Sequence, residues 1–150
     1  MLMYKSGRFY AGNSSFALPD GSRIDSTPDV QPEVGIVVYP PDRDDYYIDI
    51  DYHVDEEDAQ EGLNGVLMDI SIDKSIRATP ANFSKASGWE AFYNVKRNSM
   101  YEVRFDVNQQ IEDDDIETVL VIFITAEKDA NIKAIRNSDF VIQLLNSIEQ

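Results

Sequence analysis

The longest run of strand-forming residues lies at residues 116–126, IETVLVIFITA. Side chains alternate between the two sides of an extended strand, so the even-numbered positions from Leu120 to Ile124 share one face. Val121 and Phe123 share the other face, and both faces are therefore apolar. A strand that is apolar on both faces has to be covered on both faces, which predicts that this segment lies in the middle of a sheet.

Other segments have the composition or alternation of strands and surround this central run. They are residues 7–11, 15–18, 34–39, 46–53, 89–96 and 100–108. The first two flank Gly12-Asn13, a dipeptide typical of a tight hairpin turn. The last two flank a short polar connection, Arg97-Asn98-Ser99. Because consecutive hairpins pair antiparallel strands, we expect a mostly antiparallel sheet.

Two segments have helical spacing of apolar residues. In residues 58–72 the apolar positions are Leu63, Val66, Leu67 and Ile70, and in the segment that starts at Asp139 they are Val141, Leu144, Leu145 and Ile148. Helices that are separated in sequence can cover opposite faces of one sheet. We therefore predict one α+β domain over residues 1–150, with a mostly antiparallel sheet of about five to seven strands and helices on both faces.

Two short motifs near the ends of the chain resemble those of a known group. Residues 16–21, FALPDG, resemble the F-x-[LI]-P-x-G hairpin that opens proteins of the PsbP-like superfamily, and residues 139–148, DFVIQLLNSI, resemble its closing helix. Ser22 departs from the pattern, because many members have an aromatic residue there. The superfamily includes the extrinsic P subunit of photosystem II, the Ran-binding nuclear import factor and many small bacterial proteins.

The resemblance implies an antiparallel sheet between helices, a fold that is used for docking and assembly. Members share no catalytic residues, so it assigns no functional residue to this chain. A fold by itself does not determine function.

The charge balance narrows the classes of partner. The chain has 13 basic and 28 acidic residues, a net charge of −15, and it has no cysteine. Such a field repels nucleic-acid phosphates and anionic membranes and favours a basic protein.

The absence of cysteine excludes disulfides, thiol catalysis and cysteine-based zinc sites. Without an apolar run of about 18 residues or a secretory signal, we expect a cytoplasmic protein. Self-association into a homodimer is a further expectation.

The acidic residues outside the regular strands form the predicted binding surface. They are Asp42, Asp44, Asp45, Asp55, Glu56, Asp58, Glu112, Asp113, Asp114 and Asp115. If the runs converge at one end of the sheet, they would recognise a basic protein partner. The alternative is that they keep a hydrophobic strand soluble and stabilise the start of a helix.

Asp49, Asp51 and His53 form the sharpest candidate for a metal site. They occupy alternate positions of one strand, so their side chains share a face at intervals of about 6.5 Å. Carboxylates and imidazole bind divalent metals, but this spacing is wide for one ion, and a solvated strand face explains the same pattern.

No catalytic or phosphate-binding motif is present, and no cofactor is implied. We therefore expect a non-catalytic binding or assembly protein. The alternatives are a divalent-metal or small-ligand-binding protein and an immunity or inhibitor protein that blocks a basic toxin.

Overall fold

The chain forms strands and two helices within the residues that the computed structural model describes, which are 2–25, 35–53, 78–95, 97–106, 109–111, 114–116 and 119–150. The strands are β1 (Leu2–Lys5), β2 (Arg8–Ala11), β3 (Ser14–Phe16), β4 (Arg23–Ile24), β5 (Gly35–Tyr39), β6 (Tyr46–His53), β7 (Thr79–Asn82), β8 (Ser87–Val95), β9 (Asn98–Asp106), β10 (Gln109–Ile111), β11 (Asp114–Ile116) and β12 (Val119–Glu127). The helices are α1 (Ile132–Arg136) and α2 (Asp139–Asn146).

The main sheet has seven antiparallel strands in the order β4-β5-β6-β12-β9-β8-β7. β12 lies at its centre, with Ile122 directly opposite Ile50 of β6 and Val103 of β9. The predicted position of the central strand is therefore confirmed. A hairpin of β10 and β11 extends the β9–β12 connection, and β1, β2 and β3 form a separate three-stranded sheet.

The central strand is covered on both of its faces. Leu120, Ile122 and Ile124 are fully buried in one hydrophobic core together with Leu144 and Leu145 of α2. On the reverse face Val121 is 1% exposed. Each such side chain contributes about 1.5–3 kcal/mol when it is removed from water, so β12 organises the burial on both sides of the sheet.

The fold prediction is confirmed for the α+β class and the mostly antiparallel sheet. Helices on both faces are not found in the described part of the chain, where α1 and α2 both contribute to the core that contains Ile122. The helix predicted over residues 58–72 lies outside the described residues. None of the helices described is long and apolar enough to cross a membrane.

The small sheet and the C-terminal segment are joined by hydrogen bonds. The Ser147 hydroxyl accepts a hydrogen bond from the Ala17 N–H at 3.0 Å. Ser15 and Glu149 exchange backbone hydrogen bonds at 2.9 and 2.8 Å, and Arg8 Nη2 donates to the Ser147 carbonyl at 2.7 Å. The two motifs that carry the PsbP-like resemblance therefore contact each other directly.

The turn at residues 19–22 explains the glycine of the first motif. The Ser22 N–H donates to the Pro19 carbonyl at 3.2 Å, and Gly21 has a φ of +80°. A type II turn requires a positive φ at this position, where glycine is favoured. A Cβ at Gly21 would also lie 3.0 Å from Pro41, so both the backbone and the available space favour glycine.

Replacement of Ser147 by alanine tests the contact between the two motifs. Ser147→Ala removes the acceptor of the part-buried Ala17 N–H, and we expect the free energy of unfolding to fall by about 1–3 kcal/mol. Urea denaturation measures this change. Ser84→Ala, at an exposed position, is the control and should change stability by less than about 0.5 kcal/mol. Equal effects of the two substitutions would contradict the assignment.

Candidate functional site

The reverse face of the main sheet carries two neighbouring carboxylates on β6. Asp49 lies opposite Phe123 of β12, and Asp51 lies opposite Val121. Both aspartates are half-buried. Their shared face agrees with the sequence prediction, and it places charged groups beside the apolar reverse face of the central strand.

Gly35 of β5 makes room for the Asp51 carboxylate. The two residues pair directly across β5 and β6. A Cβ at Gly35 would collide with Asp51 Oδ1. The missing side chain therefore allows the carboxylate to lie flat against the neighbouring strand.

Burial changes the proton affinity of both carboxylates. Burial, together with the smaller effect of the negative charge of Asp51, raises the pKa of Asp49 from 3.8 to about 6. Burial also raises the pKa of Asp51. Because burial penalises the charged form, both groups favour a proton or another cation nearby.

A third carboxylate lies on the same face but one strand beyond β12. Glu102 of β9 is 3% exposed, and its Oε1 accepts a hydrogen bond from the Tyr93 hydroxyl at 2.7 Å. Asp49 and Glu102 both pair with Phe123, from opposite sides, so their backbones are about 10 Å apart. The alternation of the sequence placed Glu102 on a polar strand face and did not predict its burial. A signal of close packing was present in Ala91, the small residue that pairs with Glu102 across β8 and β9.

The metal hypothesis names three residues of β6, and the structure describes the side chains of two of them, Asp49 and Asp51. Among the described residues, no group of three or more acidic or histidine side chains is close enough to hold an ion. Asp49 and Asp51 are on one face, whereas the side chain of His53 lies outside the described part of the structure.

The acids of the turn between β5 and β6 lie beside arginines. Asp44 pairs with Arg23 at 3.2 Å, and Asp45 pairs with Arg43. The hydrogen bond from Arg43 lowers the pKa of Asp45. This part of the predicted acidic surface is therefore partly neutralised.

The other end of β6 is the end that precedes Asp55, Glu56 and Asp58 in the sequence. β6 begins at Tyr46, opposite Ala126, and ends at His53, opposite Val119. Its length separates the two ends by roughly 23 Å. Val119 is also opposite Asp106, so the ends of β6 and β9 and the start of β12 form one row.

Asp114 and Asp115 lie on β11, which follows β9 and precedes β12. The other predicted acids of this group lie outside the described residues; they are Asp55, Glu56, Asp58, Glu112 and Asp113.

No protein-family model and no curated protein sequence matches this chain. A crystal structure from Bacteroides thetaiotaomicron VPI-5482 is similar, with a TM-score of 0.51 and 10% identity over 97% of this chain and 48% of that chain. This chain therefore spans about half the length of the Bacteroides protein. At this identity the likeness is one of fold alone.

Two further solved structures are similar over most of their length. One is the cyanobacterial PsbP (CyanoP) of Synechocystis sp. PCC 6803, with a TM-score of 0.49 and 11% identity over 93% of this chain and 89% of that chain. The other is LpqN, a protein involved in cell envelope biogenesis of Mycobacterium tuberculosis, with a TM-score of 0.49 and 14% identity over 91% and 82%. CyanoP carries the name of the superfamily that the terminal motifs resemble.

Replacement of Asp49 by asparagine tests the raised pKa. The folded state holds this proton up to about pH 6, whereas the unfolded chain loses it near 3.8. The free energy of unfolding should therefore fall as the pH rises from about 4 to about 6 and then level off. Asp49→Asn should reduce this fall, of which Asp51 retains a part because its pKa is also raised. Because the substitution removes a partly buried charge, it should raise stability at pH 7, and the gain is about 1 kcal/mol since water screens part of that charge.

Thermal unfolding between pH 4 and pH 8 measures the effect. The control is Asp44→Asn, at a side chain that is 94% exposed, and it should retain the pH dependence. An unchanged slope in Asp49→Asn, or a loss of stability at pH 7, would show that the Asp49 carboxylate is not destabilised by burial.

Proposed function

We propose that this protein is a non-catalytic binding or assembly protein, and that its acidic surface docks a basic protein partner. The observation that carries the proposal is the common end of three central strands, where His53, Val119 and Asp106 form one row. In the sequence, one acidic run follows His53 and the other lies between Asp106 and Val119. In the proposal they form one acidic surface at that end of the sheet.

The charge of the chain supports a basic rather than an acidic partner. A net charge of −15 attracts cationic surfaces over several ångströms and raises the rate of encounter. The acids at the other end of β6, Asp44 and Asp45, have arginine partners. The end that borders His53 is therefore the better candidate for the docking surface. An immunity or inhibitor protein would use the same chemistry, with a toxin as the basic partner.

Two charge-matched triple variants distinguish the two ends. Asp55→Asn, Glu56→Gln and Asp58→Asn together remove three charges that follow His53 in the sequence. Asp42→Asn, Asp44→Asn and Asp45→Asn remove three charges that precede the opposite end of β6. With an oligolysine peptide as the probe, we expect the first variant to lower the association rate about tenfold at low salt. The second should change the rate by less than about twofold.

Stopped-flow measurements at low and high salt give these rates, and affinity capture from a lysate of the native host identifies the natural partner. Added salt should reduce the difference between the wild type and the first variant because it screens exposed charges. Equal effects of the two variants would mean that only net charge matters, and no docking surface at the His53 end would then be required.

A second candidate function is divalent-metal binding by Asp49 and Asp51. What favours it is their shared, half-buried position and the raised pKa of each carboxyl. A bound cation would offset both the burial of the charges and their repulsion. His53 is the third ligand in this hypothesis.

Melting temperature with calcium, magnesium, manganese or zinc, each compared with chelator, tests the metal candidate. A specific site predicts a rise for one of the ions that is lost in Asp51→Ala and kept in Asp44→Ala. A similar rise for every ion, kept in both variants, would reflect screening of the net charge and would contradict a metal site.

A further inference from the structure

An open groove of about 430 Å³ lies beside the small sheet, away from the carboxylates of β6. Tyr4 and Phe9 of the small sheet contribute to its lining, and so do Leu18, Asp20 and Ile24 from the segment that follows β3. Its volume is within the range of about 300–1,000 Å³ that is usual for ligand sites. Aromatic, aliphatic and acidic groups therefore meet in one concave surface.

The aromatic residues of the groove, Tyr4 and Phe9, are connected to the hydrophobic core through Phe16. Tyr4, Phe9 and Phe16 lie in one row across β1, β2 and β3. The ring centroids are 5.0 Å apart for Tyr4 and Phe9 and 5.3 Å apart for Phe9 and Phe16. Phe16 is fully buried, whereas Tyr4 is 67% exposed. The row thus presents an exposed ring on a rigid base.

The segment from Leu18 to Ile24 adds a negative charge and apolar surface to the groove. Asp20 is exposed in the tight turn at residues 19–22, whose conformation the Ser22-to-Pro19 hydrogen bond holds. Ile24 is 46% exposed, and Leu18 packs partly against the core. An aromatic face and a carboxylate both attract a cation, and aliphatic side chains accommodate a hydrocarbon stem.

The basic side chains of Lys5, Arg8 and Arg23 are close to the groove in the sequence but do not line it. Lys5 and Arg8 alternate with Tyr4 and Phe9 along their strands, so they lie on the other face of the β1–β2 hairpin. Arg8 donates to Ser15 and to Ser147. Arg23 donates to the Pro40 carbonyl. The negative charge of Asp20 therefore dominates the groove.

We propose that this groove binds a lysine or arginine side chain in an extended segment of the basic partner. The cationic head lies between the Tyr4 ring and the Asp20 carboxylate, and the aliphatic stem packs on Leu18 and Ile24. This inference rests on the proposed function, since it names the feature of the basic partner that is recognised at short range.

Fluorescence anisotropy with labelled peptides tests the proposal on the full chain. The probe is a peptide of alternating lysine and alanine, and its comparison has norleucine in place of each lysine. We expect Tyr4→Ala and Asp20→Asn each to weaken binding of the lysine peptide by about three- to tenfold. The norleucine peptide should bind much more weakly and should not respond to Asp20→Asn.

Matched controls come from the same parts of the chain. Tyr10→Ala removes an exposed tyrosine from the other face of the same hairpin, and Asp129→Asn removes an exposed acid from the turn after β12. Both should bind the lysine peptide within about twofold of the wild type. Circular dichroism and melting temperature establish that each variant is folded.

The outcomes separate this inference from the proposed function. If Tyr4→Ala and Asp20→Asn leave binding unchanged while neutralisation at the His53 end weakens it, the groove is excluded and the acidic docking surface stands. Equal binding of the norleucine peptide would mean that the groove takes apolar ligands, and no binding of the lysine peptide would exclude the cation site. Either result overturns the inference, and affinity capture then tests the proposed function independently.

Discussion

The burial of β12 on both faces is the constraint on which the rest of the structure depends. Ile122 is fully buried on the core face and Val121 is almost fully buried on the reverse face, so the strand needs cover above and below and pairing on both sides. β6 and β9 provide the pairing. The same arrangement brings Asp49 and Glu102 against an apolar strip. Carboxylates in that position lose hydration, and the raised pKa of Asp49 is a consequence of how the sheet buries its central strand.

The small sheet is connected to this core through the two ends of the chain. The Ser147 hydroxyl bonds to Ala17, and Gly21 provides a turn that packs on Pro41. Ser147 and Gly21, one in each of the motifs that carry the PsbP-like resemblance, therefore have structural roles that do not depend on a partner or ligand. This explains in physical terms why such motifs identify a fold and assign no activity. The function has to be sought on surfaces that the motifs position, of which the groove beside Asp20 is one.

Alternation along the chain predicted the central strand, the main hairpin and the shared face of Asp49 and Asp51, because side-chain direction in a strand depends on sequence position alone. It did not predict β1, since Leu2–Lys5 is too short and too exposed to show a pattern. It also assigned Glu102 to a polar face, because alternation cannot reveal how closely a face is covered. The row of His53, Val119 and Asp106 depends on strand order and register, which are properties of the tertiary structure.

A chain with a net charge of −15 carries self-repulsion that any cation can relieve. Salt screens this repulsion without selectivity, and any basic surface is attracted from a distance. Net charge therefore determines the rate of encounter more than the choice of partner. Selectivity requires groups of fixed geometry at short range. On the described surface, Tyr4 has that property, because its ring stands on a row anchored at the buried Phe16, and Asp20 has it through the turn at Gly21. In the proposed function, acidic charge for attraction and a rigid groove for recognition are therefore separate features that a single basic partner would use together.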